Sequence, residues 1–117
     1  MWAIWALQQY AKMVSIEECR ARYGEFIVDM VQAIERGKIA NLFLQDNGLL
    51  YANGRDTAIS WIDAVDASGR PITPRTGYLS EYNALWYNAL LFTADQILVD
   101  PDKAAEADRL KNLAAKA

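Results

Sequence analysis

The chain has 117 residues, 53% hydrophobic and 23% charged, so it can bury a modest core as a single domain over residues 1–117. Its 12 basic and 15 acidic residues give a mildly acidic surface without a basic tract, which argues against a nucleic-acid partner. The sequence has no histidine and one cysteine, Cys19, which excludes an intrachain disulfide, a conventional zinc or iron site and a histidine-based triad. Any catalysis must therefore depend on carboxylates, Tyr, Lys or Arg, and no cofactor is expected.

The first residues carry no membrane or export signal. The apolar start, residues 1–7, is too short for a membrane span and lacks the basic leader of a signal peptide. A lone cysteine fits a reducing compartment. We therefore expect a cytoplasmic protein without a membrane partner.

Two helices are predicted in the first third of the chain. Residues 2–14 have apolar side chains on more than one helical face, which predicts a buried helix. Ser15 and Glu18 form an S-x-x-E capping box that begins a second helix. Its apolar residues keep a spacing of three and four, and Gly37 is a natural end for it. The pair is interpreted as an antiparallel helical hairpin.

The middle of the chain changes character. Between residues 38 and 55, Asp46-Asn47-Gly48 separates two short apolar runs, which predicts a hairpin-type turn with a small strand. A short apolar segment follows over residues 57–65. Residues 66–77, DASGRPITPRTG, are rich in Gly and Pro and predict a long loop, and long ordered loops are usually functional.

Two further helices complete the predicted fold. Helix resumes at Ser80 or Glu81 and continues to about Ile97. Asp100 as N-cap and Pro101 at the first helical position begin a final helix, whose Ala- and Lys-rich end is expected to be exposed. The element order predicts an all-α fold of helical hairpins, with a small β-turn element and a long loop between them.

A concentration of polar and aromatic side chains marks the stretch Pro74–Leu90 as a candidate site. Glu81 would lie in the first helical turn, where the helix dipole favours its ionised form, and the preceding loop brings Arg75 near it. Trp61 and Asp63 precede the same loop. Aromatic rings beside carboxylates and amides are what a sugar site requires, because sugar CH faces stack on the rings and hydroxyls hydrogen-bond to the polar groups.

Five consecutive motifs carry a family resemblance: WALQQY, DNGLLYA, SWIDA, ITPRTG and EYNALWYNAL. They resemble, in the same order, motifs of the glucosidase domain of glycogen debranching enzymes, and they extend from Trp2 to about Leu90. The resemblance implies that the chain is a partial segment of an (α/α)6 toroid. It also implies an inverting amylo-α-1,6-glucosidase that acts on glucose stubs at glycogen branch points, with an α-glucan such as glycogen or a branched malto-oligosaccharide as partner.

The resemblance also implies roles for single residues. Asp63 would be the general acid that protonates the glycosidic oxygen. The glucose subsite would be lined by Trp61, Arg75, Glu81, Asn83 and Trp86. Five of these six positions have a structural interpretation as well: an N-cap or loop carboxylate for Asp63, a helix stabiliser for Glu81, a partner of a surface acid for Arg75, and core packing for the two tryptophans.

The sequence also departs from the family pattern. Nothing in the chain aligns with the family's general base, so we expect the isolated chain to be inactive, and its status as an enzyme stays open. Tyr82 stands where the family usually has Ile. Two alternatives remain: a non-catalytic α-glucan-binding module, and a structural or assembly protein derived from the same fold. Helices that are suited to packing in a ring would expose apolar faces if the chain stood by itself. This predicts a homo-oligomer or association with the rest of the toroid.

Overall fold

The computed structural model describes residues 1–60 and 63–117. This part of the chain contains four α-helices: α1 Trp2–Met13, α2 Ile16–Glu35, α3 Ser80–Phe92 and α4 Ala104–Lys116. It also contains one three-stranded antiparallel sheet, in the order β1 Leu42–Leu44, β2 Leu50–Gly54 and β3 Arg75–Gly77. The predicted predominance of helix is confirmed. Within these described ranges, no helix has the length and apolarity needed to cross a membrane.

The first two helices form the predicted pair. The Ser15 hydroxyl accepts a hydrogen bond from the Glu18 amide at 3.0 Å, which confirms the predicted N-cap of α2. The helices pack together, and the rings of Tyr10 and Tyr23 meet edge to face at 5.9 Å.

The expectation that the first helix is buried was wrong. Ile4 is fully buried, but Trp2 and Trp5 expose 49% and 43% of their surface. The cause is that α1 packs against α2 and α3 along one stripe, which leaves its opposite face open to solvent.

The predicted turn at Asp46–Gly48 joins β1 to β2, where Leu44 lies opposite Leu50. The turn also contacts the end of α4. A Cβ atom built at Gly48 would lie 3.0 Å from the Leu113 carbonyl oxygen, and Ala114 is buried. The end of α4 is therefore exposed on one side only, because its other side packs on the hairpin turn.

The third strand lies inside the segment that was predicted to be a loop. Arg75 pairs with Gly54, and Gly77 pairs with Ala52. The sequence pattern did not indicate this strand, because Pro74 and Gly77 are turn residues and the segment has no period-two alternation. The pairing satisfies the open edge of β2 and places Arg75 just before the start of α3.

The third and fourth helices begin or end less regularly than predicted. Helix continues to Ile97 as expected, but its last turn, Thr93–Ile97, is a π-turn. Pro101 begins a 3-10 turn, and α4 starts at Ala104. The Asp100 side chain accepts from the Lys103 ammonium at 2.9 Å and makes no side-chain cap bond, so its predicted N-cap hydrogen bond is not formed.

The hydrophobic core lies where the helices meet the sheet. Trp86 is fully buried near the middle of α3. It belongs to a core cluster with side chains from α2, β2 and α4, among them Ile27, Leu50 and Leu110. This core holds the first turn of α3 against the sheet, and that turn carries much of the candidate site.

Candidate functional site

Four polar side chains from three segments of the chain come together at the start of α3. Arg75 Nη1 lies 3.8 Å from Asp63 Oδ1, and Arg75 Nη2 forms an ion pair with Glu81 Oε1. Arg75 Nη1 also donates a hydrogen bond of 3.2 Å to the Ser60 hydroxyl. Tyr82 neighbours Glu81 in the first turn of α3. We call Asp63, Arg75, Glu81 and Tyr82 the polar cluster; the sequence predicted its first three members.

A glycine makes the approach of these segments possible. Gly54, at the end of β2, lies opposite Arg75 in the ladder. A Cβ atom at this position would lie 2.5 Å from the Arg75 carbonyl oxygen and 2.9 Å from the Ile59 side chain. Any larger residue would push β3 or the segment around Ile59 away from β2. The sheet therefore sets the position of Arg75 only because residue 54 has no side chain.

The Asp63 carboxylate is held by backbone amides that precede it in the chain. Its side chain is 1% exposed, and Oδ2 accepts hydrogen bonds from the Ile59 amide at 2.8 Å and the Ser60 amide at 2.9 Å. The carboxylate contacts these two amides and Arg75, and Asp63 is not part of the hydrophobic core cluster. The structural interpretation as a loop carboxylate is therefore observed.

The surroundings of Asp63 favour its charged form. Burial alone would raise its pKa, but the hydrogen bonds from Ile59 and Ser60 and the positive charge of Arg75 outweigh this, and the pKa lies below its ordinary value. Asp63 is thus ionised at neutral pH in this arrangement. A general acid needs the opposite, a raised pKa.

Two carboxylate oxygens of the cluster are buried without a hydrogen bond from any described residue. They are Asp63 Oδ1 and Glu81 Oε1, and both face Arg75 as ion-pair partners. The two differ: Glu81 Oε1 is in direct ion-pair contact with Arg75 Nη2, whereas Asp63 Oδ1 lies 3.8 Å from Arg75 Nη1. A buried acceptor without a donor costs about 1–3 kcal/mol, and more when it is charged, so Asp63 Oδ1 in particular calls for an explanation. Hydroxyl groups of a ligand are one class of donor that would satisfy it.

Tyr82 belongs to the cluster although the sequence analysis did not assign it to the site. Its hydroxyl donates a hydrogen bond to the Ile59 carbonyl oxygen. Burial raises the pKa of Tyr82, and the negative charges of Asp63 and Glu81 raise it further against the opposing effect of Arg75. The phenol therefore stays protonated and acts as a donor. One sequence feature could have indicated this role: Tyr82 carries a hydroxyl at a position where the family that the chain resembles usually has Ile.

Asn83 and Trp86 point to the β1–β2 hairpin. Asn83 Oδ1 accepts from the Leu50 amide at 2.7 Å, and its Nδ2 donates to the carbonyl oxygens of Leu50 and Leu79, both at 3.1 Å. The Trp86 indole donates to the Gly48 carbonyl oxygen at 3.2 Å. Both side chains anchor the hairpin to α3, so their predicted contact with a sugar stays a prediction. Trp61, the remaining predicted site residue, lies outside the described residues.

An apolar cavity of about 290 Å³ adjoins the cluster. Tyr82 and Ile59 form part of its wall, and most of the remaining lining comes from the start of α1, the end of α2 and the residues around β1. Across the described ranges, no group of three or more acidic or cysteine side chains is arranged to hold a metal ion. The polar cluster thus presents carboxylate acceptors and one guanidinium donor beside an apolar surface.

Comparison with known proteins identifies a family. A family model described as amylo-alpha-1,6-glucosidase matches residues 1–116. No curated protein and no solved structure matches the chain. The family match includes every residue of the polar cluster.

Proposed function

Since the chain belongs to the amylo-α-1,6-glucosidase family, we propose that the polar cluster is part of a glucose-binding subsite in a glycogen-debranching glucosidase. The observation that carries this proposal is the buried Asp63 Oδ1, which has no hydrogen bond from a described residue, beside the direct ion pair of Arg75 with Glu81. Sugar hydroxyls donate hydrogen bonds to carboxylates and accept them from guanidinium groups. One glucose residue carries several such hydroxyls, which suits a site with closely spaced acceptors and one donor.

In the proposed reaction Asp63 is the general acid. An inverting glycosidase uses one protonated carboxyl to donate a proton to the leaving oxygen, and a carboxylate about 6.5–9.5 Å away to activate water. Burial is the largest single influence on the Asp63 pKa and acts to raise it. Hydroxyls that engage Arg75 would weaken the opposing positive charge, which lowers the pKa of Asp63. Substrate binding thus prepares Asp63 for its role.

We propose that the chain alone binds sugar without hydrolysing it. Glu81, the other carboxylate of the cluster, is in direct ion-pair contact with Arg75, and we assign it to sugar binding rather than to the activation of water. The base would then come from elsewhere in a complete catalytic unit.

One observation favours a second candidate function, a non-catalytic α-glucan-binding module. The lowered pKa of Asp63 makes this carboxylate an acceptor for hydroxyl groups at neutral pH rather than a proton donor. In this alternative the same cluster binds glucose units, and no proton transfer takes place.

Calorimetry tests the proposal. The chain is titrated with maltose and with a branched oligosaccharide that carries an α-1,6-linked glucose, and glucose release is followed in parallel. Saturable heat with preference for the branched sugar is expected. Glu81→Gln is expected to weaken binding about tenfold, because a charged acceptor is lost.

The matched control is Glu106→Gln. Glu106 pairs with Arg109 on α4, away from the cluster, so this variant makes the same change of charge without touching the site. Equal binding by both variants, or no binding by the folded chain, would overturn the proposal. Glucose release by the chain alone would contradict the proposed inactivity.

A further inference from the structure

The Tyr82 hydroxyl and the Asp63 carboxylate are joined through a single peptide group. Tyr82 donates to the Ile59 carbonyl oxygen. The Ser60 amide, which donates to Asp63 Oδ2 at 2.9 Å, belongs to the same planar Ile59–Ser60 peptide. A rotation of this peptide that broke the Tyr82 hydrogen bond would therefore also turn the Ser60 amide away from Asp63.

Tyr82 contacts the Ile59–Ser60 peptide group itself, whereas Arg75 donates to the Ser60 side-chain hydroxyl at 3.2 Å. Arg75 lies 3.8 Å from Asp63 Oδ1, which is an ion pair without a hydrogen bond and does not set the orientation of the carboxylate. The Ile59 amide donates to Asp63 Oδ2 at 2.8 Å, and the Ser60 amide donates to the same oxygen. The two amides together fix the orientation of the carboxylate. Tyr82 itself is held in the first turn of a helix that is anchored in the core.

We infer that Tyr82 is a positioning residue, which orients the Asp63 carboxylate by holding the Ile59–Ser60 peptide through its hydroxyl. A donor on the carbonyl side of a peptide polarises the group, and this strengthens the hydrogen bond that its N–H makes. Tyr82 thus both orients and strengthens the Ser60-to-Asp63 bond. The consequence for sugar binding rests on the proposed function, whereas the ordering of the turn does not.

The test is Tyr82→Phe, which keeps the ring against the apolar cavity and removes only the hydroxyl. Native-state hydrogen exchange by NMR is expected to show the Ile59 and Ser60 amides exchanging about 3- to 10-fold faster, in line with the loss of one neutral hydrogen bond. The pKa of Asp63, followed through its carboxyl carbon shift, is expected to rise toward the ordinary value of about 3.9. Tyr87→Phe on the same helix is the control, because Tyr87 is half exposed and its hydroxyl bonds to no described residue.

The outcomes separate this inference from the proposed function. Faster exchange and a raised Asp63 pKa in Tyr82→Phe alone support the positioning role, even if the wild-type chain binds no sugar and the proposed function fails. Unchanged exchange and an unchanged pKa in folded Tyr82→Phe would overturn it. Loss of sugar binding without any change in the turn would overturn it too, since Tyr82 would then contact the sugar directly.

Discussion

Two arginines of this chain each lie between two carboxylates, yet their surroundings differ. Arg109 on α4 makes four hydrogen bonds of 2.7–3.0 Å, and all four carboxylate oxygens of Glu35 and Glu106 accept one. Arg75 pairs directly with Glu81 but lies 3.8 Å from Asp63 Oδ1, which remains buried without a hydrogen bond from a described residue. The same residue types thus make a completed structural link at one place and an incomplete cluster at the other. Incomplete pairing, rather than the presence of charge, distinguishes the candidate site.

The largest expected effect concerns the core that supports the incomplete cluster. Trp86→Ala is expected to lower the free energy of unfolding by about 3–5 kcal/mol, because a fully buried ring and its hydrogen bond to Gly48 are lost. Urea unfolding followed by circular dichroism measures this change. Trp5→Ala, at a half-exposed ring of α1, serves as the control and is expected to cost far less. Equal costs would show that Trp86 is not the central core residue.

Removal of Arg75 is expected to cost more stability than removal of Arg109. Arg75→Met leaves the buried Asp63 carboxylate beside Glu81 without a countercharge, and a loss of about 2–3 kcal/mol is expected at pH 7. The loss is expected to shrink as the pH falls toward 3, because Asp63 of the variant, without the charge of Arg75 that lowers its pKa, takes up a proton more readily than Asp63 of the wild type. Urea unfolding at both pH values measures it, and a loss that does not depend on pH would show that Arg75 acts by packing rather than by charge.

Arg109→Met is expected to cost about 1 kcal/mol, since neither of its carboxylate partners is as buried as Asp63 and both can be hydrated once the guanidinium is gone. The same unfolding experiment, run with and without 1 M salt, checks it, and the cost is expected to fall at high salt. If Arg109→Met lowered the free energy of unfolding more than Arg75→Met does, the proposed difference between the two arginines would be contradicted.

The smallest effect is the contribution of Asp63 to the dependence of stability on pH. Burial raises the pKa of Asp63, but the backbone hydrogen bonds and Arg75 lower it below the value in the unfolded chain. The stability contributed by Asp63 is therefore complete above the unfolded pKa of about 3.9 and is lost as the pH falls through the folded pKa. The difference in unfolding free energy between wild type and Asp63→Asn is therefore expected to decrease below about pH 4. A difference that stays constant from pH 7 to pH 3 would mean that the pKa of Asp63 is not lowered.

The sequence predicted the helical part of this fold well, since its signals are local. The Ser15 cap, the end of α2 before Gly37 and the turn at Asp46–Gly48 each depend on residues within a few positions of one another. The strand at Arg75–Gly77 was missed for the opposite reason: its hydrogen-bond partner is a strand more than twenty residues earlier, and its own sequence reads as turn.

For the candidate site, too, some properties follow from the sequence and others only from the tertiary structure. The sequence by itself determined which chemical groups are present: a carboxylate at 63, a guanidinium at 75, a carboxylate at 81 and no imidazole anywhere. Only the tertiary structure decided that Asn83 and Trp86 face the hairpin, that the Tyr82 hydroxyl meets Ile59, and that Arg75 lies between two carboxylates. The physical reason is that side-chain type and local spacing are properties of neighbouring residues, whereas the direction of a side chain and its partners depend on how distant segments pack.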